Sequence, residues 1–206
     1  MYEHEYKERK EPRDIVHTPM PDYAPNLNPM MFAYLHDREL DYDLARQNGW
    51  YPTRTRGPRV VIPCTNNAGF NYWQARAMDD NELRYDSPAV PRKDSIVLLW
   101  PPKKTFTVSK IVVITEGPMD ALAAAEFYPS IAIMGGCPSG EVLDYMHRQS
   151  EILGFTKWLI IPDRDNISLV SLLYEEGRDF EVITPTNKDL AAMPRWEREK
   201  LLGGSV

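Results

Sequence analysis

Two short acidic motifs carry the side chains best suited to chemistry. Glu116-Gly117-Pro118-Met119-Asp120 follows the apolar run Ile111 to Ile114, and Asp163-Arg164-Asp165 follows Lys157 to Ile161. In an open parallel sheet, ligands collect beyond the carboxyl ends of the strands, so side chains just past these two runs converge over neighbouring edges. Glu116 would then face Asp163 and Asp165. In an extended segment the pleat turns both carboxylates of Asp-x-Asp the same way, which supplies two oxygen ligands for one cation. Three carboxylates so close repel one another unless a divalent ion such as Mg²⁺ neutralises them. Asp120 has a structural reading as well. It falls at about the third position of a helix opened by Gly117 and Pro118, where a carboxylate favours the free N–H groups and the dipole. Asp163 or Asp165 could equally cap a following helix.

A second set of candidates is basic. Arg54, Arg56 and Arg59 cluster near Tyr51, a combination of charge and ring that suits a single-stranded polyanion as well as it suits a solvated loop. Charge is uneven along the chain: residues 1 to 43 hold 5 basic and 10 acidic side chains, residues 44 to 110 hold 11 and 5, and residues 111 to 206 hold 8 and 15. The whole chain is therefore acidic, at −6, with a basic middle. That pattern fits a protein holding a polyanion on one surface and cations on another, or an uneven surface with no partner.

Stepping outward, 206 residues at 43% hydrophobic content suffice for one compact domain or two small ones. No run approaches the roughly 18 apolar residues of a membrane span, and the charged start lacks a signal-peptide core. A cytoplasmic chain with no membrane partner is expected. Cys64 and Cys137 are too few for a disulfide framework or a four-ligand zinc site, unless several of the four histidines join them. They are expected to be buried thiols.

Five prolines between Pro12 and Pro29 mark an extended arm over residues 1–29 that wraps over the body or trails from it. Phe32, Leu35, Leu40, Leu44 and Ala45 predict one or two short helices stopped by Gly49. Arg59 to Pro63 and Phe70 to Arg76, around a polar turn, predict an antiparallel hairpin, and Ile96 to Trp100 is assigned to the same small sheet. After Lys110 strand alternates with helix: strands at 111–114, 130–134, 157–161 and 180–183, and helices at 119–127, 141–153 and 167–176. In the second helix Val142, Tyr145, Met146 and Ile152 form the apolar face. Gly135-Gly136 and Ser139-Gly140 read as tight turns, Trp73, Trp100 and Trp158 as core, and 195–200 as a short terminal helix carrying Trp196.

In their order the segments IVVITEGPMDALAAAEF, IAIMGG and WLIIPDRD resemble the TOPRIM domain shared by bacterial-type primases, topoisomerases and some nucleases. Within that family the chain looks like a primase. RVVIPCTNNAGFNYWQARAMDDNELRYDSP is similar to the primase stretch in which a hairpin and a Gly-Arg step lead to Lys-Tyr-x-x-Ser-Pro, and AYLHDRELDYDLARQNGWYP resembles the helical element that opens the primase polymerase core. Asn187-Lys188-Asp189 resembles the Lys-Asp step after the last core strand. Two departures stand out. Arg164 replaces the usual small residue inside Asp-x-Asp, and Asn166-Ile167-Ser168 replaces the Ala-Gly step after it.

The resemblance implies an α/β protein: a TOPRIM, Rossmann-like domain with a mostly parallel sheet and flanking helices over 110–190, preceded by a small mixed α+β basic subdomain over 30–109 and followed by a tail, 191–206. It implies metal-dependent synthesis of short RNA primers from ribonucleoside triphosphates on single-stranded DNA, in a phage or prokaryotic replication system. Glu116, Asp120, Asp163 and Asp165 would be catalytic, and Glu116, Asp163, Asp165 and Asp189 would hold Mg²⁺ or Mn²⁺. Arg54, Arg56, Arg59, Arg76, Arg84 and Lys93 would hold template or nucleotide phosphates. With no zinc site and no Gly-x-x-x-x-Gly-Lys-Ser/Thr loop, a zinc-binding template reader and a helicase are expected on other polypeptides. A TOPRIM nuclease, and a nucleic-acid-binding accessory protein whose metal site has decayed, are the alternatives.

Overall fold

The computed structural model describes residues 18–66, 69–89, 95–102, 109–135, 138–163, 170, 171, 174, 179–186 and 189–203, without the side chains of 66 and 69–71. The described end of the arm lies along the body. Trp73 Nε1 donates to Pro19 O at 3.0 Å, the Tyr51 hydroxyl to Pro21 O at 2.9 Å, and Ala24 N to Pro52 O at 2.9 Å. The two expected helices follow as Asn28–His36 (α1) and Tyr42–Gln47 (α2). Asp41 caps α2 by accepting from Leu44 N at 2.9 Å, and Gly49, at φ +82°, turns the chain out of it.

A four-stranded antiparallel sheet comes next, in the order β1-β2-β3-β4: Tyr51–Thr53 (β1), Arg59–Asn66 (β2), Gly69–Ala77 (β3) and Tyr85–Asp86 (β4). The β2–β3 hairpin runs from Arg59 opposite Ala77 to Asn66 opposite Gly69, with a register shift between Cys64 and Thr65. Strand alternation splits its apolar residues: Val60, Ile62 and Cys64 enter the main core, while Val61 packs with Trp73 and Ala75 on the opposite face.

Ile96 to Trp100 does not join this sheet. Its strand, Val97–Leu99 (β5), belongs to a second sheet with Ile111–Thr115 (β6), Ser130–Ala132 (β7), Lys157–Ile161 (β8) and Phe180–Val182 (β9), in the order β5-β7-β6-β8-β9, and pairs antiparallel with β7 at its edge. A single bridge between Thr65 and Ile96 links the two sheets. An apolar run of this length announces a strand and says nothing of its partner, which corrects the expected assignment. The four strands β6 to β9 are mutually parallel. Strands β6, β7 and β8 are buried on both sides, and the edge strand β9 is largely exposed. Val113, Leu159 and Ile161 face Pro118–Ala124 (α3) and the first lobe, and Val112, Ile114, Trp158 and Ile160 face Gly140–Leu153 (α4).

Ser139 caps α4, accepting from Val142 N at 3.3 Å, and Gly154 ends it in the left-handed region. Ile152 is 69% exposed and does not belong to the apolar face. It lies about 120° round the helix from Met146, at the centre of the buried stripe. Of the helix expected over 167–176, residues 170, 171 and 174 are described, and all are helical. Cys64 is buried, its Sγ donating to Ile62 O at 3.5 Å, and Cys137 lies outside the described residues. Among the described residues no helix is long and apolar enough to cross a membrane.

The C-terminal helix, Arg195–Gly203 (α5), spans the two lobes. Arg198, wholly buried, donates through Nη2 to the Glu39 carbonyl in the turn after α1, and its guanidinium sits 3.8 Å from the Glu126 carboxylate beyond α3. Arg195 adds its own contact to Glu126 at 3.2 Å, and its N–H donates to Glu39 Oε2 at 2.7 Å. Replacing Arg198 by Ala leaves the Glu126 side chain, 4% exposed, with the exposed Arg195 as its only cation among these contacts. The expected cost is about 3–5 kcal/mol by urea denaturation near pH 8. Burial already pushes the Glu126 carboxyl above its ordinary range, against the pull of Arg198 and Arg195. Without Arg198 the folded state holds that proton to higher pH, so the deficit narrows as pH falls. A deficit below about 1 kcal/mol, or one that grows in acid, would refute this account.

Candidate functional site

Parallel pairing of β6 with β8 sets Thr115 opposite Ile161, so both chains leave the sheet at one level. Glu116 is the first residue out of β6. Its Oε1 accepts the N–H of Asp163 at 3.3 Å, which joins the two acidic motifs directly. Asp163 stands two residues beyond the end of β8. Arg164 and Asp165 lie outside the described residues.

The Glu-Gly-x-x-Asp spacing has a local cause. Thr115 Oγ1 donates to Gly117 O at 3.0 Å, fixing the exit from β6, and Pro118 opens α3 where no donor is needed. Asp120 sits in the first turn of α3, and Cβ on residue 117 would lie 3.0 Å from its Oδ2. Glycine is needed there for closeness to a carboxylate; its φ of −106° is ordinary. Asp120 Oδ1 accepts from Ala191 N at 2.8 Å, which draws in the 3₁₀ turn Leu190–Ala192. That turn is opened by Asp189, whose Oδ1 accepts from Ala192 N at 2.8 Å. Asp120 thus occupies the first turn expected of it, but its carboxylate serves the N–H of Ala191 in a distant turn.

Asp120 lies within electrostatic reach of Asp189 and Asp163, and Glu116 touches the Asp163 backbone. Asp120, 9% exposed, is pushed up from 3.8 to about 7, chiefly by burial and further by the negative charges of Asp189 and Asp163, against the backbone bond from Ala191. The donor set is oxygen-only and anionic, the chemistry of a hard divalent cation. Among the described residues no three such side chains close into a metal cage, and Asp165 is not among them.

The basic residues fall into two groups. Arg59 is 0% exposed: its Nε donates to Arg56 O and its Nη1 to Ala75 O, so the expectation that it meets phosphate is corrected. Arg56, at φ +53°, directs its guanidinium to Asp86 at 3.2 Å. Arg54 stays exposed, and the Tyr51 hydroxyl is engaged by the arm. Arg76 and Arg84 instead share a cleft of about 520 Å³ between α1 and the β3–β4 turn, together with Tyr34 and Arg38. Arg76 Nε donates to the Tyr34 hydroxyl at 2.9 Å, and its guanidinium lies 4.8 Å over the Tyr85 ring. Arg38 stacks 3.9 Å over the Tyr34 ring. Tyr85 ties this cleft to the acids. Burial raises its phenol, the Arg76 cation opposes that rise, and Tyr34 and Asp120 add to it. Lys93 lies outside the described residues. Tyr34, Arg38 and Tyr85 were not singled out in the sequence, although Tyr34 and Arg38 stand at the i,i+4 spacing that joins side chains at a helix end.

No known family profile and no curated protein matches the sequence. Solved structures do. The E. coli primase catalytic core is similar at a TM-score of 0.61 and 15% identity, over 87% of this chain and 72% of that one. The RNA polymerase domain of Mycobacterium tuberculosis primase DnaG is similar at 0.56 and 16%, over 85% and 76%. A DnaG primase catalytic domain bound to ssDNA is similar at 0.56 and 15%, over 84% and 71%. The chain therefore has the fold of bacterial primase catalytic cores.

The Asp120 shift predicts a pH dependence. Between about pH 4 and 7 the folded state keeps a proton that the unfolded chain has released, so stability falls as pH rises through that window and levels off above it. Asp120→Asn keeps the acceptor for Ala191 N and removes the charge. In EDTA the variant should equal the parent near pH 4 and exceed it near pH 8 by up to about 3–4 kcal/mol, measured by chemical denaturation. Equal stability at both pH values would show that the carboxyl is not under this strain.

Proposed function

We propose that the chain is the catalytic core of a DNA primase of the TOPRIM type, joining ribonucleotides into short primers on single-stranded DNA. The observation that carries this reading is the junction of two opposite fields. Glu116 is bonded to the Asp163 backbone, Asp120 feels the charges of Asp163 and Asp189, and the half-buried Tyr85 lies under the Arg76 guanidinium within electrostatic reach of Asp120. The shared fold supports it, as does the ssDNA in one of the similar primase structures.

In this reading Glu116, Asp163, Asp165 and Asp189 hold Mg²⁺ or Mn²⁺, which when bound orients phosphate oxygens and offsets charge that grows as pyrophosphate leaves. Glu116 is either a ligand or the acceptor of the attacking hydroxyl's proton. Asp120 is a positioning residue: its bond to Ala191 N sets the turn that carries Asp189. Arg38, Arg76, Arg84 and Lys93 hold phosphates of nucleotide or template, since guanidinium forks match phosphate oxygens. Arg54 extends that field along the template. A zinc-binding template reader and a helicase are the companions this core would need.

The test incubates the full chain with single-stranded template, labelled ribonucleotides and Mg²⁺ or Mn²⁺, with circular DNA alongside. Labelled short oligoribonucleotides are expected; nicked circles would replace this reading with a nuclease, and binding with neither product would replace it with an accessory protein. Glu116→Gln and Asp163→Asn should lower synthesis by about 100-fold or more. A readout independent of turnover is the thermal midpoint. Mg²⁺ should raise it in the parent and not in Asp163→Asn.

A further inference from the structure

We propose that Tyr34 is a positioning residue that locks Arg38 and Arg76 into a single phosphate clamp. This rests on the primase reading for the identity of its ligands and on geometry for its mechanism. Tyr34 is buried on α1 and serves two arginines at once. Its hydroxyl accepts from Arg76 Nε at 2.9 Å, and its ring lies under the Arg38 guanidinium at 3.9 Å. Its carbonyl accepts from Arg38 Nη1 at 3.1 Å. From the other side Tyr85 places its ring 4.8 Å from the Arg76 guanidinium.

The consequence is directional. With Nε given to Tyr34 and a further bond shared with Tyr85, Arg76 has lost most of its rotamer freedom while its guanidinium still lines the cleft. Arg38 is likewise held by one terminal nitrogen and one face. Among the described residues no carboxylate forms an ion pair with either guanidinium. Two guanidinium groups oriented in advance bind a phosphate oxyanion with less ordering cost than two mobile ones. The cleft also carries Asp37, Asp79 and Asp80, but all three are exposed at its rim, where water and salt screen their repulsion. Asp79 is further engaged by the N–H of Asn81 at 3.3 Å. Arg84 shares the cleft without touching Tyr34 in any contact found, so its contribution is independent of the clamp.

The phosphate could belong to an incoming ribonucleoside triphosphate or to the template backbone. Two probes separate the sources: a fluorescent mant-labelled GTP, and a short fluorescein-labelled oligothymidylate, each titrated against the full chain by anisotropy. Tyr34→Phe removes one hydroxyl and keeps the ring beneath Arg38. It should weaken the probe whose phosphate sits in the clamp by about tenfold, the scale of one hydrogen bond to a charged group. Arg76→Ala should weaken the same probe at least as much, and adding Tyr34→Phe to it should change affinity by less than about twofold, because the hydroxyl acts only through Arg76. A merely structural tyrosine would give losses that add. Arg84→Ala, by contrast, should add fully to Tyr34→Phe.

Arg76→Lys supplies a second background that keeps the charge and lacks Nε, and there Tyr34→Phe should again be silent even if Arg76→Ala proves poorly folded. Unchanged affinity of Tyr34→Phe for both probes, additive losses in the double variants, or no binding of either probe to the parent would each overturn the clamp. Coupled losses without primer synthesis would leave the clamp standing and remove the primase reading. Synthesis with uncoupled losses would do the reverse.

Discussion

Most of this architecture depends on the parallel registration of β6 with β8. Because Thr115 stands opposite Ile161, the residues that follow leave the sheet side by side, and Glu116 reaches the backbone of Asp163. The arrangement concentrates negative charge, which folding alone would not favour. Neutral donors contribute to holding it: the N–H groups of Asp163, Ala191 and Ala192 each donate to a carboxylate oxygen. Such backbone dipoles hold acids together without cancelling their charge.

The cleft beside α1 follows a complementary logic. The guanidinium groups of Arg38 and Arg76 are held by tyrosines, whose rings and hydroxyls orient a cation without neutralising it. The cluster nearer the arm is different in kind. Arg56 meets a carboxylate, and Arg59 is spent on two backbone carbonyls, so those side chains stabilise the turn before β2. Two sets of arginines close in sequence thus serve different purposes, and the nature of each partner distinguishes them.

That distinction also marks how far the sequence could be read. The β-α alternation after Lys110 was legible because strands buried on both faces must be continuous apolar runs, and the acidic motifs were legible because strand ends are where parallel sheets gather ligands. Partnership was not. Ile96 to Trp100 announces a strand, but its pairing with β7 is decided by which edge the chain reaches after the Thr65–Ile96 bridge. Arg59 reads as exposed by type, and its burial follows from sharing a strand face with Val61, which the fold covers. Ile152 satisfies a loose helical spacing yet falls to the side of the stripe centred on Met146. Tyr34 and Arg38 carry no motif that would single them out in the sequence. Only the approach of β3 shows that the tyrosine faces a second arginine.

The antiparallel and parallel sheets, with the helices packed on each, also hold a fixed relation, and the contacts that set it are directional as well as apolar. Apolar packing resists separation but tolerates sliding, and a well-packed apolar replacement for a buried ion pair is often equally stable. What the buried Arg198 adds is direction. One planar guanidinium has to meet the Glu39 carbonyl on the first lobe and the Glu126 carboxylate on the second together, and only one arrangement of the lobes satisfies both. Arg195 repeats the demand with the same two residues, through its backbone N–H to Glu39 and its side chain to Glu126. The preceding turn carries the constraint into the site, because Ala191, four residues before Arg195, is the donor that Asp120 holds. A displacement of α5 would therefore reach the acidic cluster and the relation of the two lobes at the same time.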